Sequence, residues 1–473
     1  MNRRHFLSRS VLVGGASLIA PVARAAGANE ALRVAVIGLR GRGGHHLDAL
    51  MRIKGVRVAA VCDVDPAVLR RKLDELDRKG VKATGYSDYR KLCESGEVDA
   101  VTIATPNHTH ALIAITAASQ GKHVYVEKPV SHNVEEGRLL ARAQEKYGVH
   151  IQHGFQRRCE RAWQEAFAWI GEGHLGKLTL ARGLCYKPRP SIGKVSGPQL
   201  APEGLDYDLW CGPRPRVPIR RKRFHYDWHW QMPWGNGDLG NQGPHQLDVC
   251  RWALGDPDDL PRSVLSCGDR FAHDDDGQWA NTQLVWLEYA AAPILFEVRG
   301  LPRKGVDYDS GMDQYRGVSI GNVIEYEGGA LIGGHGAGCR VVDRDGKELR
   351  RFSGGGDAFR TWVEQLRAGR QDPVLGAESG HLSSALAHLG NISWQLGQAG
   401  TSPGDEAPGP YAEAFRRMAT HLEANGVDVA KRGLRVGPRL GLVAGQERIS
   451  GPIGELANPL LSEPFRTEFL PPL

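Results

Sequence analysis

The sequence predicts an α/β protein of two domains: a doubly wound parallel sheet at the N-terminal end, then an α+β domain with a mostly antiparallel sheet. Three observations carry this. β-rich runs alternate with helical patterns as far as about residue 150, and the first run ends on a glycine-rich turn. Beyond residue 150 the β-rich runs are separated by turns rather than long helices. With 473 residues, 41% of them hydrophobic, the chain can bury two cores and is too long for one.

Residues 1–26 stand apart from this fold. Arg3-Arg4-His5-Phe6-Leu7 is followed by an apolar run at 11–23 and by Ala23-Arg24-Ala25. A charged start, a short apolar core and a small-residue exit are the layout of a signal peptide. The run is too short for a stable membrane anchor. Paired arginines before Phe-Leu resemble a twin-arginine signal, which implies the export machinery of that name as a partner and a periplasmic location. The leader holds four arginines and no acid, so it accounts for most of the net charge of +6 and leaves little argument for a nucleic-acid partner. The eight cysteines form no C-x-x-C pair, and folding before export in a reducing compartment predicts free, buried thiols.

Residues 31–150 are read as the first domain. Leu32-Arg33-Val34-Ala35-Val36-Ile37 stops at Gly38-Leu39-Arg40-Gly41-Arg42-Gly43, and a helical pattern follows. Strand, glycine-rich turn and helix bring backbone N–H groups to where a pyrophosphate can sit, the Rossmann arrangement. A second strand at 56–61 leads to Asp63, placed 20 residues beyond Gly43 to grip ribose hydroxyls. In G-x-G-x-x-G the middle position is Arg40, so Gly41 is expected to supply the close approach. An acid at the ribose favours NAD over NADP, because it repels a 2′-phosphate. Further strands at 98–104 and 121–126 end at Thr105-Pro106-Asn107-His108-Thr109-His110 and at Glu127-Lys128-Pro129. Ligands in open parallel sheets lie at the carboxyl ends of strands. Gly38, Arg40, Gly41, Arg42, Gly43, Asp63, Thr105, Pro106, Asn107, His110, Glu127 and Lys128 are therefore the candidate cofactor residues.

The Thr-Pro-Asn-His-x-His run and the Glu-Lys-Pro turn, in this order after a dinucleotide fold, resemble the Gfo/Idh/MocA oxidoreductase family over most of residues 31–400. The resemblance implies hydride transfer between a nicotinamide and a carbon bearing a hydroxyl, with Lys128 acting on that hydroxyl. Read from the residues alone, Lys128 could also be a solvated lysine at a strand end.

Residues 151–400 form the expected substrate domain, and Asn236-Gly237-Asp238-Leu239-Gly240-Asn241-Gln242-Gly243-Pro244-His245 resembles the family's second motif. His245 matches its histidine and Asp248 a later acid, while Asn241 stands where an aspartate is usual. The resemblance makes His245 a second acid/base candidate and Asn241 a ligand for a substrate hydroxyl. Upstream, His225, Trp228 and His229 mix an indole face with polar groups, as suits a sugar, although a packed loop would look the same. Arg157, beyond the run at 149–155, and Tyr186, beyond the run at 177–185, complete the candidate substrate residues. No metal site is expected, since nothing completes the His225/His229 pair at a familiar spacing. The run from His381 to Ser393 reads as helix packing, and residues 401–473 as a linker, a helix at 411–425 and an irregular tail.

Export joined to a nicotinamide fold implies a cofactor that stays bound and is regenerated within each cycle. Plain oxidoreduction of a sugar or glycoside, glycoside cleavage through transient oxidation at C3, and sugar binding without catalysis remain the three readings. Family members often pair through exposed sheet faces, so a homo-oligomer is expected.

Overall fold

The computed structural model describes residues 31–305, 307–404 and 407–473, and the leader expected at 1–26 lies outside them. β1 (Leu32–Ile37), α1 (Gly41–Met51), β2 (Val56–Cys62), α2 (Pro66–Arg78), β3 (Thr84–Tyr86), α3 (Tyr89–Glu94), β4 (Ala100–Ile103), α4 (His110–Ser119), β5 (His123–Val126), α5 (Val134–Tyr147) and β6 (Ile151–His153) make the first domain. Its strands are parallel in the order β3-β2-β1-β4-β5-β6. The order reverses between β1 and β4, and that switch point opens the crevice in which ligands of such sheets bind. Apolar strand runs such as Val34 to Ile37 are buried because helices cover both faces of the sheet.

The second domain continues with α6 (Arg161–Gly171), β7 (Leu178–Cys185), α7 (Tyr207–Cys211), α8 (Gly237–Asn241), α9 (Gly243–Ala253), β8 (Ser263–Asp269), β9 (Thr282–Glu288) and β10 (Ile294–Arg299). Then come β11 (Ile320–Tyr326), β12 (Gly329–Gly333), β13 (Gly338–Asp343), β14 (Glu348–Ser353), α10 (Ala358–Ala368), α11 (Ala377–Gln395) and α12 (Gly409–Ala424). The main sheet runs β14-β13-β12-β11-β7-β10-β9-β8, with β7 and β10 its parallel pair. The short strands Leu434–Val436 and Gln398–Gly400 extend it past β8.

Two arrangements differ from the sequence reading. Helix α10 returns to the first domain, where Phe359 and Trp362 pack on His46 and Tyr125, so the first core is not completed by residue 150. The tail beyond residue 401 is built in: it supplies a strand of the second sheet, and Glu463 pairs with Arg214 and His132. Helix α12 lays Tyr411, Ala414, Met418 and Leu422 over Leu265, Leu284, Trp286 and Leu295 of β8–β10. That part of the sheet face is therefore covered by the chain itself. Helix α11 is buried along nearly its whole length, which accounts for the apolar spacing in its sequence. All eight cysteines are free thiols, seven of them fully buried. Among the described residues no helix is long and apolar enough to cross a membrane.

Candidate active site

A cleft of about 460 Å³ follows the crevice between the domains. Its floor begins at the turn after β1. Gly38 sits at φ +85°, and a Cβ there would lie 2.8 Å from the Ala104 carbonyl. Side chains rarely adopt that conformation, and here one would strike backbone. A Cβ on Gly43 would overlap the Gly38 carbonyl at 1.7 Å, so glycine is needed for α1 to meet the turn. A Cβ on Gly41 would meet nothing within 4 Å, because Gly41 faces the open cleft. Helix α1 has no side-chain cap, which leaves its first N–H groups free for an anion. Asp63 closes this end of the cleft and accepts hydrogen bonds from Leu39 N (2.9 Å) and Asp65 N (3.0 Å). Burial raises its pKa above the ordinary carboxylate value. An uncapped helix N-terminus beside a carboxylate at the β2 end fits a dinucleotide, pyrophosphate on α1 and ribose on Asp63.

The other end of the cleft is built from the tips of β4 and β5. Thr105, Pro106 and Asn107 line it, and Asn107 donates to Asn236 Oδ1 (3.0 Å). The His110 ring nitrogens contact the carbonyls of Pro129 (2.6 Å) and Thr105 (2.7 Å), so this residue ties the two strand ends together. Glu127 accepts from Arg42 Nε (2.6 Å) and lies 3.1 Å from His46 Nε2. Burial pushes its pKa up, but the hydrogen bond from His46 and the charge of Arg42 outweigh this and hold it far below the usual range. Lys128 donates from Nζ to the Asn241 carbonyl. Burial pulls its ammonium down to about 8, opposed by Glu127 and reinforced by Arg42. His245 faces the same space and hydrogen-bonds to no described residue through its ring. Burial first, and then the Lys128 charge, push it well below the ordinary imidazole value, so it is neutral at neutral pH.

The roof comes from the segment between β7 and α8. Leu209, Trp210, His225, Tyr226 and Trp228 line the cleft from above. His225 Nε2 lies 2.8 Å from Asp65 Oδ2, and Asp65 caps α2 two residues after Asp63. This contact straps the second domain over the cofactor end.

Three expected substrate residues do not reach the cleft. Tyr186 is fully buried on the opposite face of the sheet, where its hydroxyl donates to Glu297 (2.6 Å). Arg157 is held by the carbonyls of Gly334 and Gly336 and by Glu160. His229 turns away and donates from Nδ1 to the Tyr226 carbonyl (2.6 Å). Asp248 is structural: it pairs with Arg158 (2.9 Å) and accepts from Ser383. The sequence reading missed Asp238 and Arg189, which form a buried bidentate pair at the cleft wall. The signal for Asp238 was available, since it lies one helical turn before Asn241.

Comparison with known proteins bears on family and fold. The family model for the NAD-binding Rossmann fold of the Gfo/Idh/MocA oxidoreductases matches residues 32–155, and the model for the family's C-terminal alpha/beta domain matches residues 176–295. An inositol 2-dehydrogenase of Salmonella paratyphi B is 29% identical over 180 residues, 38% of this chain and 52% of that protein. The chain thus aligns with about half the length of that relative. A glycosyl hydrolase family 109 protein of Shewanella woodyi is 36% identical over 110 residues, 22% of this chain and 24% of that protein. In fold, the chain is similar to the WlbA dehydrogenase of Bordetella pertussis, solved with NADH and UDP-GlcNAcA. The TM-score is 0.56 at 18% identity, covering 76% of this chain and 97% of that one.

Proposed function

We propose that this chain, which belongs to the Gfo/Idh/MocA oxidoreductase family, oxidises and reduces a hydroxyl-bearing carbon of a sugar or glycoside and holds its NAD from one turnover to the next. The observation that carries the reading is the convergence of Lys128, Asn241 and His245 at the strand-end side of the cleft. Bound NAD supplies the hydride acceptor or donor. The chain's own residues manage one proton and the alignment. As a neutral amine, Lys128 takes the proton from the reacting hydroxyl, and as an ammonium it returns it. The neutral His245 imidazole can accept or donate a second proton. Asn241 offers an amide to a hydroxyl, and Trp228 offers an indole face at the cleft mouth.

Retention of the cofactor is supported by the strap. His225 on Asp65, with Trp210 and Leu209 above the crevice, encloses the end that holds the adenosine half. The Arg3-Arg4 leader supports export already folded, into a periplasm without a useful pool of free NAD(P). A cofactor loaded before export and kept thereafter reconciles the two. A second reading, glycoside cleavage through transient oxidation at C3, is favoured by the likeness to the glycosyl hydrolase family 109 protein and by two proton-transfer groups in one cleft. Lys128→Ala separates both readings from mere sugar binding. Turnover lost with sugar affinity kept supports the enzyme; turnover unchanged overturns it.

A further inference from the structure

We propose that Asp238 and Arg189 form a positioning pair that aims Asn241, Tyr226 and Lys128 at the substrate, supplying from one helical turn upstream the carboxylate that residue 241 lacks. The inference rests on the hydride-transfer reading. Asp238 is wholly buried on α8 and accepts from Arg189 Nε (3.0 Å) and Nη2 (2.8 Å). Residues three apart on a helix share a face. Asp238 Oδ1 accordingly receives Asn241 Nδ2 at 3.4 Å, while the Asn241 carbonyl receives Lys128 Nζ. On its other side Arg189 donates from Nη1 to the Tyr226 hydroxyl (2.7 Å). Asn241, Tyr226 and Lys128 line the cleft, and Asp238 and Arg189 stand directly behind them.

Arg189 is itself held. Its N–H donates to the Gly300 carbonyl (2.8 Å), and its carbonyl accepts from the Tyr308 hydroxyl (3.1 Å) and contacts His273 Nε2 (2.9 Å). A buried ion pair is a weak source of stability, since desolvating both charges offsets most of the attraction. Its value here is geometric: a two-pronged fork allows one orientation, and that orientation passes to the three groups in front of it. Asp238 also places a negative charge near Lys128. The other groups facing that amine are Glu127, Arg42 from α1, Cys185 at the end of β7, Lys187 beyond it, His245 on α9 and His110 on α4.

The test uses holoprotein variants Asp238→Asn, Arg189→Lys and Asp238→Asn/Asn241→Asp, with nicotinamide content measured to confirm folding. Trinitrobenzenesulfonate labelling of Lys128, followed by mass spectrometry against pH, reads the amine without any turnover. With the carboxylate gone, the labelling midpoint should fall by about one pH unit in Asp238→Asn. It should return toward wild type in the double variant, which restores a carboxylate on the same face. Arg189→Lys keeps the charge and loses the fork, so KM should rise at least about fivefold while the midpoint holds. A midpoint in Asp238→Asn within about 0.3 pH unit of wild type, together with a KM in Arg189→Lys within about twofold of wild type, would overturn the proposal. If Asp238→Asn does not fold, an unchanged KM in Arg189→Lys overturns it alone. A wild-type protein that turns over no sugar sinks the hydride-transfer reading, and the Lys128 labelling still decides whether Asp238 governs that amine.

Discussion

If Lys128 takes the substrate proton, the pH dependence of the reaction has a definite sign and size. Burial brings the ammonium down to about 8. From that midpoint, about one-tenth of the amine is neutral at pH 7, half at pH 8 and about nine-tenths at pH 9. Oxidation of a hydroxyl needs the neutral form. Reduction of bound NAD by substrate should therefore quicken about ninefold from pH 7 to pH 9 and then level off. Reduction of a carbonyl needs the ammonium, so the reverse reaction should slow over the same range. His245 is already neutral throughout and adds no limb of its own there. Stopped-flow absorbance near 340 nm on the holoprotein measures both directions. A rate of oxidation that is flat or falling between pH 7 and 9 would refute the assignment of Lys128 as proton acceptor.

Other outcomes follow from the same geometry. Lys128→Met should abolish turnover yet raise thermal stability by about 1–3 kcal/mol, because a buried amine with a depressed pKa costs the fold while it is protonated in the unfolded chain. A lowered melting temperature in that variant would contradict this. Asp248→Ala takes from the buried Arg158 one of its two carboxylate partners, leaving Asp256, and should cost about 1–3 kcal/mol, seen in denaturant unfolding. His225→Ala removes the strap contact on Asp65 and should speed release of bound NAD about fivefold, measured by exchange into excess labelled NAD. Equal release rates in variant and wild type would remove the strap from the account.

The first domain was legible because its signals are local. Strand runs, the glycine turn and Asp63 each lie within a few residues of the structure they specify. What required distant partners was not legible. Nothing near Phe359 and Trp362 indicates that α10 packs on β5 residues more than two hundred positions earlier. The substrate residues divide on the same ground. Tyr186 follows β7, where alternate side chains point to opposite faces, and it emerges on the side of Glu297. Arg157 is captured by carbonyls of the β12–β13 connection. In the motif around α8, the expected position of the acid drew attention to Asn241, while helical geometry had placed Asp238 on the same face.

The most direct test of the account is the absorbance near 340 nm of the purified protein, recorded before and after addition of a panel of sugars and glycosides. The account predicts a nicotinamide that co-purifies, changes redox state with one class of sugar, and recovers as the cycle closes. A protein that arrives empty and binds neither NAD(H) nor NADP(H) when these are supplied would contradict it.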